Sequence, residues 1–101
     1  MTISTSFIAQ TTIQSEHASK YLTVLCRHFA RKVKAEWDDI TGTVHFPVGV
    51  TTMRVDSSIN QLEVTCTSDS KEQLEEQKLI ISQHLDTYSR RETIDVVWRS
   101  V

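Results

Sequence analysis

Two glycines and one proline are all that the 101 residues contain of the usual chain-breaking types. Such a chain has no flexible linker, no low-complexity stretch and no collagen-like or disordered composition. Two cysteines, Cys26 and Cys66, are too few and too isolated for a disulfide framework, and they lack CxxC spacing. Free thiols point to a reducing compartment. No segment approaches the about 20 apolar residues that a membrane helix requires. Met1–Gln14 has neither a basic start nor a continuous apolar run, so no signal peptide is expected and the location is read as cytoplasmic. A net charge of −2 supplies no field for nucleic acid or anionic membrane.

What is present is a globular composition, 39% hydrophobic and 24% charged. Residues 1–101 read as one domain. Thr5–Ile13 has strand composition. Ser15 is positioned to cap a helix from Glu16 to about Lys32, because Ala18, Tyr21, Leu22, Leu25 and Phe29 recur at three- and four-residue spacing. Four alternating segments follow, centred on Ala35, Val44, Met53 and Val64. Each has one apolar face and one polar face. Asp69 with Glu72 fits a capping box for a second helix running to about Arg90, whose stripe is Leu74, Ile81, Leu85 and Tyr88. Thr93–Arg99 reads as a last strand.

The order is β-α-β-β-β-β-α-β. It predicts an α+β two-layer sandwich: a mostly antiparallel six-stranded sheet with both helices on one face and the other face polar and open. Turn chemistry sets the hairpin registers. A four-residue loop Asp39–Gly42 places Trp37 opposite Val44 and Glu36 opposite His45. A four-residue loop Ser57–Asn60 places Val55 opposite Leu62 and Arg54 opposite Glu63. Pro47 cannot donate to a ladder, so the third strand should end there.

Three groups of residues resemble the bacterial domain-of-unknown-function family 2218. One is Tyr21-Leu22 with Leu25-Cys26-Arg27-His28-Phe29-Ala30-Arg31-Lys32. The second is Gly42 with Phe46-Pro47-Val48-Gly49. The third is His84-Leu85, Tyr88, Arg91-Glu92 and Trp98. The chain departs from the family pattern at Arg31, where a second histidine is frequent, and at Arg90, where an aromatic is usual. The first departure weakens any site built on paired histidines. The resemblance implies a bacterial source, a fold without an established activity, and an association with iron or siderophore uptake.

Candidate site residues are Cys26, His28, Lys32, His84, Arg91 and Glu92. Cys26 and His28 cannot share a metal ion from one helix, since residues two apart lie about 200° apart around its axis. His28 and Lys32 are one turn apart and suit an anion or carboxylate. The strand directions make the helices antiparallel and set His28 and His84 toward opposite ends, so no metal set is expected. His45 with Arg54, Glu63 and Asp95 could form a polar binding surface on the open sheet face, but solvated cross-strand charge pairs explain the same residues and are the preferred reading. Lys20, Arg27 and Arg31 make the outer side of the first helix basic. Glu72, Glu75, Glu76 and Asp86 make that of the second acidic, with Leu79 as one apolar residue among them.

No phosphate loop, nucleophile elbow or HExxH is present, which argues against catalysis. A binding or accessory domain for a small ligand or a protein partner is the first reading, its ligand and any cofactor unknown. An enzyme using His28 with Lys32 or Arg91 is the alternative. A self-associating module, for example a homodimer pairing the two helix faces, is the third.

Overall fold

A computed structural model of the protein describes residues 7–88 and 96–100. The order is β1 (Phe7–Gln14), α1 (Ala18–Phe29), β2 (Lys34–Trp37), β3 (Thr41–Phe46), β4 (Gly49–Asp56), β5 (Gln61–Ser68), α2 (Lys71–Tyr88) and β6 (Arg99–Ser100). The strands form one sheet in the order β2-β3-β4-β5-β1-β6, and every neighbouring pair is antiparallel. This is the expected α+β sandwich. Of the expected last strand Thr93–Arg99, residues 93–95 lie outside the described residues, residues 96–98 are not strand, and pairing is confined to Arg99–Ser100. Among the described residues no helix is long and apolar enough to cross a membrane.

Alternation decides which side chains meet the helices. Ile13, Val44, Met53, Val55, Leu62, Val64 and Cys66 are buried on one sheet face beneath Leu22, Leu25, Phe29, Ile81 and Leu85. Each such aliphatic or aromatic side chain contributes roughly 1.5–3 kcal/mol on full burial. The other face carries Gln10, Thr12, Thr43, His45, Thr52, Arg54, Glu63 and Thr65, none of them buried. Both helices therefore lie on one side, as the periodicities require.

The first helix is shorter than the expected span from Glu16 to Lys32. At the start of α1, Ser15 Oγ accepts the His17 N–H at 3.0 Å, and the helix begins only at Ala18. At its end, Arg31 N–H reaches the His28 carbonyl and Lys32 N–H the Phe29 carbonyl. These tighter i→i+3 turns stop the helix before Lys32. For α2 the cap is one residue later than expected. Ser70 Oγ accepts the Gln73 N–H at 3.1 Å, so the capping side chain is Ser70 rather than Asp69.

The hairpin registers divide. Val55 faces Leu62 and Arg54 faces Glu63, as expected. The β3–β4 turn also falls at Pro47, with Phe46 opposite Gly49. The β2–β3 register differs by two residues: Trp37 faces Gly42 and Lys34 faces His45. The Asp38 carboxylate accepts the N–H groups of Ile40 and Thr41 at 2.9 and 2.8 Å, while Asp38 N–H reaches the Thr41 carbonyl. These bonds shorten the loop to two residues. A shift of two keeps every side chain on its face. Glu36 still lies 3.7 Å from His45, now diagonally.

Gly42 occupies the buried position opposite Trp37. A Cβ there would stand 2.7 Å from Cys26 Sγ and 3.5 Å from Leu22 Cδ2. The missing side chain is what lets α1 lie this close to β3. Gly49 has φ +153°, and a Cβ there would stand 2.3 Å from the Thr67 carbonyl oxygen.

Candidate functional site

The two helices meet through their C-terminal turns. His28 is the penultimate residue of α1, and His84 and Tyr88 occupy the last two turns of α2. The His28 and His84 ring centroids are 4.8 Å apart. Tyr88 Oη lies 3.1 Å from His28 Nδ1, and Phe29 packs against both imidazoles at 5.6 and 4.7 Å. This overturns the expectation that His28 and His84 stand toward opposite ends of the sandwich. Strand directions set the sense of each helix but not its displacement along its own axis.

His84 is held further by Nδ1, 2.7 Å from the Ile80 carbonyl oxygen. That oxygen can only accept, so Nδ1 carries the proton and Nε2 of the neutral ring presents a lone pair. Both imidazoles are half-buried and Tyr88 is exposed, so the cluster is open to solvent on one side. Desolvation and the neighbouring His84, Arg31 and Lys32 together hold the His28 pKa below its ordinary value. Arg31 and Lys32 are exposed in the turn that follows α1, which puts two cations at the mouth of the cluster.

Of the candidate residues, the structure thus brings His28 and His84 together and places Lys32 beside them. Cys26 is elsewhere. It is fully buried under Gly42, with its thiol pushed up to about 11 by burial. Arg91 and Glu92 lie outside the described residues. Sequence reasoning assigned Tyr88 to the apolar stripe of α2, whereas it is 36% exposed and bonded to His28. Its edge position, one turn after His84, was the available signal. Among the described residues no group of three or more His, Cys, Asp or Glu side chains is placed to hold a metal ion.

A concave feature lies on the open sheet face. Thr41, Thr43, Thr52, Arg54, Glu63 and Thr65 line a shallow groove of about 310 Å³. Thr43, Thr52 and Thr65 occupy one cross-strand row. The row continues through Gln10, whose amide donates to Thr65 Oγ1 and accepts from Arg99. The sheet separates the groove from His28. The helix faces remain apart: among the described residues no ion pair joins Lys20, Arg27 or Arg31 to Glu72, Glu75 or Glu76. Leu79 points outward and is 58% exposed.

A two-layer α+β domain with a histidine–tyrosine cluster where its helices meet is the class this geometry defines. Residues 10–99 match the model of an uncharacterized protein family conserved in bacteria, DUF2218, and the chain belongs to that family. The fold is similar to the NMR structure of PA4090 from Pseudomonas aeruginosa, with a TM-score of 0.76 and 18% sequence identity over 92% of this chain and 95% of that one. No curated protein matches the chain.

Proposed function

We propose that this protein is a non-catalytic accessory domain of the bacterial cytosol that binds a small anionic ligand where its two helices meet. The observation that supports this is the convergence of His28, His84 and Tyr88 with Arg31 and Lys32 in the adjoining turn. The His28 imidazole and the Tyr88 phenol can each donate a hydrogen bond, and the two cations favour a carboxylate or a similar anion over a neutral ligand. Phe29 forms an apolar floor under both imidazoles. Among the described residues no serine or cysteine is hydrogen-bonded to His28 or His84, and the Cys26 thiol is buried with its pKa pushed up to about 11.

The association with iron uptake implied by the family resemblance makes ferric siderophores and haem the first ligands to try, alongside simple di- and tricarboxylates. Calorimetric titration should find one site that Lys32→Ala and Arg31→Ala each weaken several-fold. Silence from every probe at millimolar concentration, or affinity indifferent to both substitutions, would remove the reading.

A further inference from the structure

The two imidazoles of the cluster are held in the same way. In His84 the Nδ1 proton is committed to the Ile80 carbonyl at 2.7 Å. In His28 it is also Nδ1 that is engaged, by the Tyr88 hydroxyl at 3.1 Å, and that hydroxyl can accept as well as donate. Both rings therefore have Nδ1 occupied by a protein partner, and no hydrogen bond to either Nε2 is found among the described residues. A histidine that ligates a metal almost always has its other nitrogen bonded to a carbonyl, carboxylate or water, which sets the tautomer and aims the ring.

The spacing is compatible with a shared ion. The ring centroids are 4.8 Å apart with planes tilted by 50°. Two nitrogens at about 2.0–2.1 Å from a tetrahedral ion lie about 3.3 Å apart. Phe29 and Tyr88 restrict each ring from the side, at 4.7 Å from His84 and 5.9 Å from His28 respectively.

We propose that His28 and His84 form a two-imidazole site for a divalent transition metal ion, bound through the two Nε2 atoms. Neutral imidazole suits zinc, nickel and copper rather than magnesium or calcium. Tyr88 and the Ile80 carbonyl are positioning groups, since each holds a ring through Nδ1 and leaves the coordinating nitrogen free. The remaining coordination positions face solvent, where an anionic ligand held by Arg31 and Lys32 could enter. The metal site does not depend on that anion. The two cations are exposed on flexible side chains, so water and salt screen their repulsion of the ion.

The test is titration of the full chain with zinc or nickel chloride in a non-coordinating buffer at pH 7.5, with no other ligand present. One site is expected. His28→Phe and His84→Phe should each weaken it at least tenfold, while the double variant His17→Gln/His45→Gln should keep it. Nitrogen-detected NMR of the unmodified protein should show the Nε2 signals of His28 and His84 moving with zinc, and their Nδ1 signals far less. Nε2 signals that stay still at millimolar zinc, or binding lost in the His17/His45 variant, would overturn the site. Lys32→Ala and Arg31→Ala should leave metal affinity unchanged or raise it, which separates this result from the anion-binding one.

Discussion

The Tyr88 hydroxyl and Nδ1 of His28 are 3.1 Å apart although the residues are 60 positions apart in the chain. This contact joins the last turns of two helices that otherwise share little surface. Tyr88→Phe keeps the ring and removes only the hydroxyl. It should cost about 0.5–1.5 kcal/mol in a denaturant series, the net worth of one such bond. Proton–nitrogen NMR should also show the His28 ring changing tautomer balance while His84 does not. An unchanged His28 spectrum would mean that the hydroxyl does not orient that ring.

The contact of Gly42 with Cys26 predicts a size-compensating pair. Gly42→Ala inserts a methyl where Cys26 Sγ leaves 2.7 Å. It should destabilise the fold by about 1–3 kcal/mol through overpacking. Adding Cys26→Ala removes the sulfur in the way. The double variant should then be less destabilised than the sum of the two single changes, as read from urea midpoints. Additive losses would show that α1 does not press on β3 at this point.

A buried polar chain runs from α2 into the sheet. Gln77 Nε2 donates to Thr51 Oγ1 at 2.9 Å, and Thr51 Oγ1 lies 3.6 Å from Cys66 Sγ. Gln77 Oε1 is buried without a protein partner among the described residues. Thr51→Val strands the Gln77 amide donor and should cost about 1–3 kcal/mol. Gln77→Met keeps the volume and removes the unpaired oxygen, so it should cost less than Thr51→Val. Thermal unfolding of the two variants decides, and the reverse order would mean that Gln77 Oε1 is satisfied in solution.

Both thiols should be inert in the folded protein. Burial pushes Cys26 and Cys66 up to about 11, so at pH 8 almost none of either is thiolate. A chromogenic disulfide reagent should label neither cysteine until urea unfolds the chain. Rapid labelling of Cys26 in native buffer would show that α1 opens locally from β3.

Asp38 sets the β2–β3 turn through a charge. Backbone bonds from Ile40 and Thr41 hold its carboxyl pKa below the ordinary value. A depressed folded pKa means that this stability is present above the unfolded value of about 3.9 and is lost as pH falls through the folded one. Asp38→Asn keeps an acceptor oxygen for the same N–H groups but does not titrate. Its stability should vary less with pH between about 5 and 2 than that of the unmodified chain. Denaturation at several acidic pH values measures the difference.

Much of the fold could be read without coordinates because its signals are local. A period of two marks Leu62, Val64 and Cys66 as inward, and a period near 3.6 does the same for Leu22, Leu25 and Phe29. The Ser57–Asn60 loop was legible because charge and hydrophobic matches agree on a single register. The first hairpin was misread because the Asp38 carboxylate, through three bonds in its own turn, outweighs the apparent pairing of Trp37 with Val44.

The candidate site shows where such reading stops. The residue types, the faces they occupy and the sense of both helices follow from spacing and the order of elements along the chain. That His28 meets His84 and Tyr88, while Cys26 turns inward, was decided by how far each helix is displaced along the sheet. That displacement is set by contacts such as Gly42 under Cys26 and Gln77 on Thr51, which join segments 16 and 26 residues apart. Packing between such distant segments leaves no periodic trace in either one, and only the assembled tertiary structure brings the two histidines together.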